Sequence, residues 1–173
     1  MKGIVCEDIG RFRLRDDLPE PEAGPGEAVV RIRRVGICGT DMHAFKGNQP
    51  YFTYPRILGH ELAGTIEWIG GNEAGLKEGD QVAIMPYLHC GTCIACRRGR
   101  TNCCAGLRVL GVHTDGGMRE RITVPVTHLI KTDGLTLEQT AVLEPLAIGA
   151  HAVRRSGAGS GETALVIGAG PIG

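Results

Sequence analysis

Residues 62–70, Leu-Ala-Gly-Thr-Ile-Glu-Trp-Ile-Gly, set the reading of the fold. Leu62, Ile66 and Trp68 recur at even spacing through Gly64, and this period-2 pattern predicts a strand with all three on one face. Upstream, residues 28–34 (AVVRIRR) alternate Val30 and Ile32 with Arg31 and Arg33. Downstream, residues 80–85 (DQVAIM) and 120–126 (ERITVPV) repeat the habit. With 27 glycines and 9 prolines to supply turns, these short strands predict a mainly β architecture over residues 1 to about 130, a barrel or a sandwich.

The texture changes near Thr136. Thr136 and Gln139 form the S/T-x-x-E/Q pattern of a capping box, which predicts a helix running through Ala141 and Val142. Pro145 interrupts it and is expected at the first position of a second helix, which runs through Ala147, Ala150 and Val153 and ends at Arg154, Arg155 and Gly157. Residues 163–173 (TALVIGAGPIG) then predict an apolar strand leading into glycines.

The 173 residues are 42% apolar, enough for an ordinary core. Nineteen basic residues balance nineteen acidic ones, so neither a nucleic-acid partner nor a charged disordered tail is expected. The N-terminal residues 1–17 lack an apolar run of signal-peptide length, and no stretch is long enough to cross a bilayer. Seven cysteines in that setting read as thiols and metal ligands in a reducing compartment, which places the protein in the cytoplasm with no membrane partner.

Four of the cysteines, Cys90, Cys93, Cys96 and Cys104, fall within fifteen residues as C-x2-C-x2-C-x7-C. Four thiolates on a short, Gly-punctuated stretch converge on a tetrahedral ion with no position left open, the arrangement of a structural zinc site. A ferredoxin-type iron–sulfur pattern requires its fourth cysteine after three more residues, followed by proline, and neither condition holds. Cys103 and Cys104 are neighbours that point different ways, so only Cys104 is expected to bind.

A second set of candidate ligands lies elsewhere. GICGTDMH brings Cys38, Thr40, Asp41 and His43 into one segment, and GHE brings Gly59, His60 and Glu61 into another. Taken singly, Cys38 reads equally as a small buried hydrophobe and His60 as a hydrogen-bonded structural histidine.

The order of motifs resolves this ambiguity. GICGTDMH, GHELAGTI, KEGDQV, the four-cysteine lobe, EPLAIGAHA and GAGPIG follow one another along essentially the whole chain. In that order they resemble the zinc-dependent medium-chain dehydrogenase/reductase family, in its sorbitol and threonine dehydrogenase branch. Residues 110–118 (LGVHTDGGM) are similar to bacterial sugar-acid dehydrogenases of the galactonate-oxidising kind.

The resemblance implies a GroES-like β barrel with a zinc-binding lobe and short helices. It makes Cys38, His60 and Glu144 the ligands of a catalytic zinc, with Glu61 as an alternate or indirect ligand and Asp41 orienting His60. Thr40 would contact the alcohol, and His43 would relay its proton to solvent. Gly168, Gly170 and Gly173, with Pro171, match the G-x-G-x-x-G turn that receives a dinucleotide pyrophosphate.

Two Zn2+ ions per subunit and NAD or NADP are therefore expected as cofactors. The substrate would be a secondary alcohol of a polyol, a sugar acid or an amino-hydroxy acid, and the full-length protein a homodimer or homotetramer. Residues 1–157 would form the catalytic domain, with the cysteine lobe at about 88–106, and residues 158–173 the truncated start of a Rossmann domain. The 173 residues alone are expected neither to hold nicotinamide tightly nor to turn over. The competing function is a zinc-stabilised β-barrel binding module without catalysis.

Overall fold

The computed structural model describes residues 1–71 and 75–173. In chain order the elements are β1 (Gly3–Asp8), β2 (Arg11–Arg15), β3 (Glu27–Gly36), α1 (Gly39–Phe45), β4 (Arg56–Ile57), β5 (Glu61–Ile69), β6 (Gln81–Ile84) and β7 (Tyr87–Leu88). They continue with α2 (Ile94–Arg97), β8 (Arg108–Val109), β9 (Arg121–Pro125), β10 (Leu129–Lys131), α3 (Leu137–Ala141) and α4 (Leu143–Ser156). The protein is mainly β with short helices.

The central sheet runs β10-β6-β5-β3-β9, and a smaller one runs β2-β1-β4. The central sheet has to roll up. Its edge strands β9 and β10 are joined by residues 126–128 alone. Four Cα steps reach at most about 14 Å, whereas four strand spacings in a flat sheet come to about 19 Å. Only a curled sheet brings those edges within reach of the turn, which is the barrel. Its interior is filled by Ala28, Val30, Leu62, Ile66, Val82, Ile84, Ile122 and Val124, all buried. Each buried Val, Leu or Ile contributes about 1.5–3 kcal/mol.

Two bulges shape the β3–β5 ladder. The register passes from Val29↔Trp68 to Val30↔Ile66, so Glu67 is an extra residue on β5. Trp68 therefore leaves the face it was expected to share with Leu62 and Ile66 and is 40% exposed. The second slip, from Ile32↔Gly64 to Arg34↔Ala63, inserts Arg33 on β3 and lets Ile32 and Val35 both pack on the core.

The capping box forms: Thr136 Oγ1 accepts the Gln139 N–H at 3.2 Å, and Gln139 Oε1 accepts the Thr136 N–H at 2.9 Å. Pro145 takes the third position of α4 rather than the first. The helix N-terminus leaves its first N–H groups unbonded in any case, so the ring is tolerated there as well. Gly157, at φ 71°, closes α4 in the left-handed conformation.

Residues 158–173 hold no helix or strand, and Leu165 and Ile167 are 86% and 91% exposed. The strand expected over 163–167 lacks a ladder because none of the described strands lies beside it. Among the described residues no helix is long and apolar enough to cross a membrane.

Candidate metal centres

The cysteine lobe is a loop pinched at its base by the β7–β8 pair, which matches Tyr87 with Val109 and Leu88 with Arg108. Within it, Cys90, Cys93, Cys96 and Cys104 present sulfurs that all lie within 4.8 Å of one another. Cys93 and Cys96 approach to 3.5 Å, Cys90 and Cys104 to 3.5 Å, and Cys90 and Cys96 to 4.0 Å. Cys103 is exposed and stands outside the group. The Thr92 hydroxyl and the Cys93 N–H both donate to the Cys90 sulfur and hold its thiol well below the usual thiol range. Arg97, Arg98 and Arg100 lie in the same segment.

The second cluster is assembled by the barrel. Cys38 precedes α1, and His60 and Glu61 stand at the start of β5. One donor atom from each of Cys38, His60 and Glu61 lies within 4.8 Å of the other two, and both His60 and Glu61 are buried. Asp41 joins the two segments. Its Oδ2 accepts the Cys38 N–H at 2.9 Å, its Oδ1 accepts the Gly59 N–H at 3.2 Å, and Oδ1 lies 3.8 Å from His60 Nδ1.

Residues 110–118 hold the GHE segment from the other side. The N–H groups of Gly116, Gly117 and Met118 donate to the carbonyls of Ile57, Gly59 and Leu58 at 2.7, 2.9 and 3.0 Å. A Cβ on Gly116 would sit 2.3 Å from the Gly59 carbonyl oxygen, so this close backbone approach requires glycine.

Thr40 lies on α1 with its hydroxyl 3.7 Å from the Cys38 sulfur, while His43 is exposed on the same helix. Glu144 falls outside the 4.8 Å set: on the first turn of α4, its Oε1 accepts a 2.6 Å hydrogen bond from Tyr87 Oη. Burial raises the Glu61 carboxyl above its ordinary range; the nearby charges of Glu144 and Asp41 add to this, and His60 opposes it. The Tyr87 phenol is also raised, first by burial and then by its bond to Glu144 and the charges of Glu144, Cys38 and Glu61.

Tyr87 and Glu144 line a cleft of about 470 Å3 whose other walls include Ile84, Pro86, Leu143 and Ile148. Tyr87 was not singled out in the sequence, where its one signal is its place three residues before Cys90. Tyr51 is 73% exposed, whereas Phe52 and Tyr54 pack edge to face and cover Cys6, Ala44 and Leu58.

Both donor sets suit zinc, which takes sulfur, imidazole and carboxylate ligands. Among the described residues the buried Nδ1 of His60 has no hydrogen-bond partner, as suits an imidazole whose remaining bonds are completed by an ion and a slightly closer Asp41. At the end of the chain, the GAGPIG turn folds back on itself. A Cβ at Gly173 would lie 2.2 Å from the Gly168 carbonyl oxygen.

A rolled β domain carrying a four-cysteine cluster and a separate Cys/His/Glu cluster points to one class, the GroES-like domain of zinc-type alcohol dehydrogenases. The alcohol dehydrogenase GroES-like domain family matches residues 24–134, and the chain belongs to this family. It is 54% identical over 174 residues to L-galactonate-5-dehydrogenase of Escherichia coli (strain K12), a match that covers 100% of this chain and 51% of that protein. The crystal structure of short chain alcohol dehydrogenase (rspB) from Escherichia coli CFT073, complexed with the cofactor NADH, superposes with a TM-score of 0.86 at 36% identity, over 99% of this chain and 50% of that one. A putative zinc-binding dehydrogenase from Sinorhizobium meliloti 1021, bound to NADP, gives a TM-score of 0.79 at 35% identity, over 89% and 45%. The chain thus spans about half the length of the relatives it matches.

Proposed function

We propose that the chain is the catalytic half of a zinc-dependent dehydrogenase that oxidises a secondary alcohol of a polyol, sugar acid or amino-hydroxy acid, with NAD or NADP as hydride acceptor. The observation that carries this reading is the convergence of Cys38, His60 and Glu61 donor atoms within 4.8 Å, close to a cleft lined by Tyr87 and Glu144. The similarity to L-galactonate-5-dehydrogenase supports a sugar acid within that class.

In this reading residues 1–157 form the catalytic domain and 158–173 begin the cofactor domain, with Gly168, Gly170, Pro171 and Gly173 at the pyrophosphate. The cysteine lobe holds a structural zinc. Cys38, His60 and a carboxylate from Glu61 or Glu144 hold a second. Bound there, zinc supplies the Lewis acidity that eases loss of the alcohol proton. A thiolate and one carboxylate offset its two charges, and neutral His60 adds none. Thr40 bonds the substrate hydroxyl, since a hydroxyl donates and accepts at once. His43, exposed on the same helix, receives the proton on its way to solvent. The protein would work in the cytoplasm as a homodimer or homotetramer.

The test is a screen of polyols, sugar acids and hydroxy-amino acids with both nicotinamides on the intact protein, alongside zinc analysis. Two zincs per chain, with an oxidation that disappears in Cys38→Ser while the fold persists, support the reading. A single zinc held by the cysteine lobe, or full activity in Cys38→Ser, overturns it in favour of a binding module.

A further inference from the structure

Glu61 belongs to the converging donors and Glu144 is near enough for its charge to act on Glu61, whereas charge balance calls for only one carboxylate. With Cys38 as thiolate, a single carboxylate neutralises a divalent cation, and a second on the same ion would leave a buried site negative. The surplus carboxylate, Glu144, is half-buried on α4 and gains from a donor of its own.

The two acids are held differently. Glu61 has a place built for it in the sheet, where it pairs with Gly36 across the β3–β5 ladder. A Cβ at residue 36 would lie 2.0 Å from Glu61 Oε2, so the carboxylate occupies space that only a glycine leaves free. Glu144 belongs to α4 and stands outside the set of converging donors. Its oxygen is taken by Tyr87 Oη at 2.6 Å, at the short end of the O–H···O range. Tyr87 belongs to β7, pinned to β8 at the base of the cysteine lobe, so its hydroxyl is presented by the fold rather than by a loose loop.

We infer that Tyr87 is a positioning residue that selects the third ligand of the Cys38/His60 site: by holding Glu144 in a hydrogen bond it leaves Glu61 as the carboxylate of the ion. The phenol compensates the surplus acid without adding charge. Loss of the phenol oxygen frees Glu144 to compete for the same coordination position. This rests on the zinc reading given above, and the experiment separates the two.

The measurement is zinc affinity by chelator competition on this chain, which resolves the three-ligand site from the four-cysteine lobe. Tyr87→Phe removes one oxygen and keeps the ring. With Tyr87 present, Glu61→Gln should weaken the three-ligand site by about 100-fold and Glu144→Gln by no more than about threefold. In the Tyr87→Phe background the Glu144→Gln penalty should rise to at least about tenfold and the Glu61→Gln penalty should shrink. Penalties that do not change between the two backgrounds, or a Glu144→Gln loss that already dominates with Tyr87 present, overturn the role of Tyr87 and leave the zinc site standing. If Cys38→Ser leaves the weaker zinc in place, the site itself is refuted and the inference falls with it.

Discussion

The Asp41 carboxylate faces the His60 ring, Oδ1 to Nδ1 at 3.8 Å, and also ties down the two segments that deliver Cys38 and His60. It does so by accepting the N–H groups of Cys38 and Gly59, and it is 4% exposed. Asp41→Asn keeps the shape but turns one acceptor into a donor that meets an N–H. Loss of a hydrogen bond to a buried charged group costs about 1.5–3 kcal/mol, and loss of a ligand's outer partner costs about 10–100-fold in metal affinity. Asp41→Asn should therefore lower the melting temperature and weaken the three-ligand zinc site together, as read by thermal denaturation and chelator competition.

Gly36→Ala tests the room made for Glu61. Residue 36 has no positive φ, so the backbone accepts alanine, and the conflict is with the Glu61 side chain, whose Oε2, Cβ and Cδ would lie 2.0, 2.8 and 3.0 Å from the new Cβ. The expected result is a zinc content falling from two toward one per chain while far-ultraviolet circular dichroism stays unchanged.

The cysteine lobe offers a matched pair of variants. Cys93 belongs to the converging four sulfurs, and Cys103, seven residues before Leu110 and next to Cys104, does not. Structural zinc binding is worth about 10–16 kcal/mol, of the order of a domain's whole stability. Cys93→Ser should release one zinc and open the lobe to proteolysis within residues 88–106, whereas Cys103→Ser should match the parent in both.

His128 supplies a pH dependence. It is 3% exposed, with Nε2 3.3 Å from the Tyr87 carbonyl oxygen and Nδ1 3.2 Å from Thr127 Oγ1. Neutral imidazole with its proton on Nε2 donates to the first and accepts from the second. Burial lowers its pKa in the folded chain, and His89, whose ring centroid is 4.7 Å away, lowers it further. Above the ordinary imidazole value of about 6.5 the folded and unfolded chains bind equal protons here. As the pH falls below that value the unfolded chain takes up a proton that the folded chain resists, so stability declines until the folded value is passed. Urea midpoints for the parent should drop between about pH 8 and about pH 5.5, and His128→Gln should show a smaller drop over the same interval.

Local chemistry explains which parts of this molecule could be read directly. The Thr136–Gln139 cap and the four-cysteine lobe were legible because each is complete within a few consecutive residues. The alternation of Val30 and Ile32 with Arg31 and Arg33, and the even spacing of Leu62 and Ile66, marked the strands of the core for the same reason. Trp68 was misplaced because one extra residue, Glu67, opposes the β3 strand, and a bulge depends on both partners of a ladder. Pro145 was misplaced by two positions because helices α3 and α4 meet at Val142 without a loop between them.

What the residues dictated unaided were the groups whose partners are close in the chain: strands of period two, a helix cap, and a thiol cage closed over fifteen residues. The tertiary structure alone decided which distant groups meet. Cys38, His60 and Glu61 are neighbours only because β3 and β5 pair in one register and Asp41 clasps the two segments, and Glu144 is drawn to Tyr87 by a bond spanning 57 residues. Side chains separated by that much sequence carry no mutual signal in composition or periodicity. Sheet register and a hydrogen bond across the fold place them, and both exist only once the chain has closed.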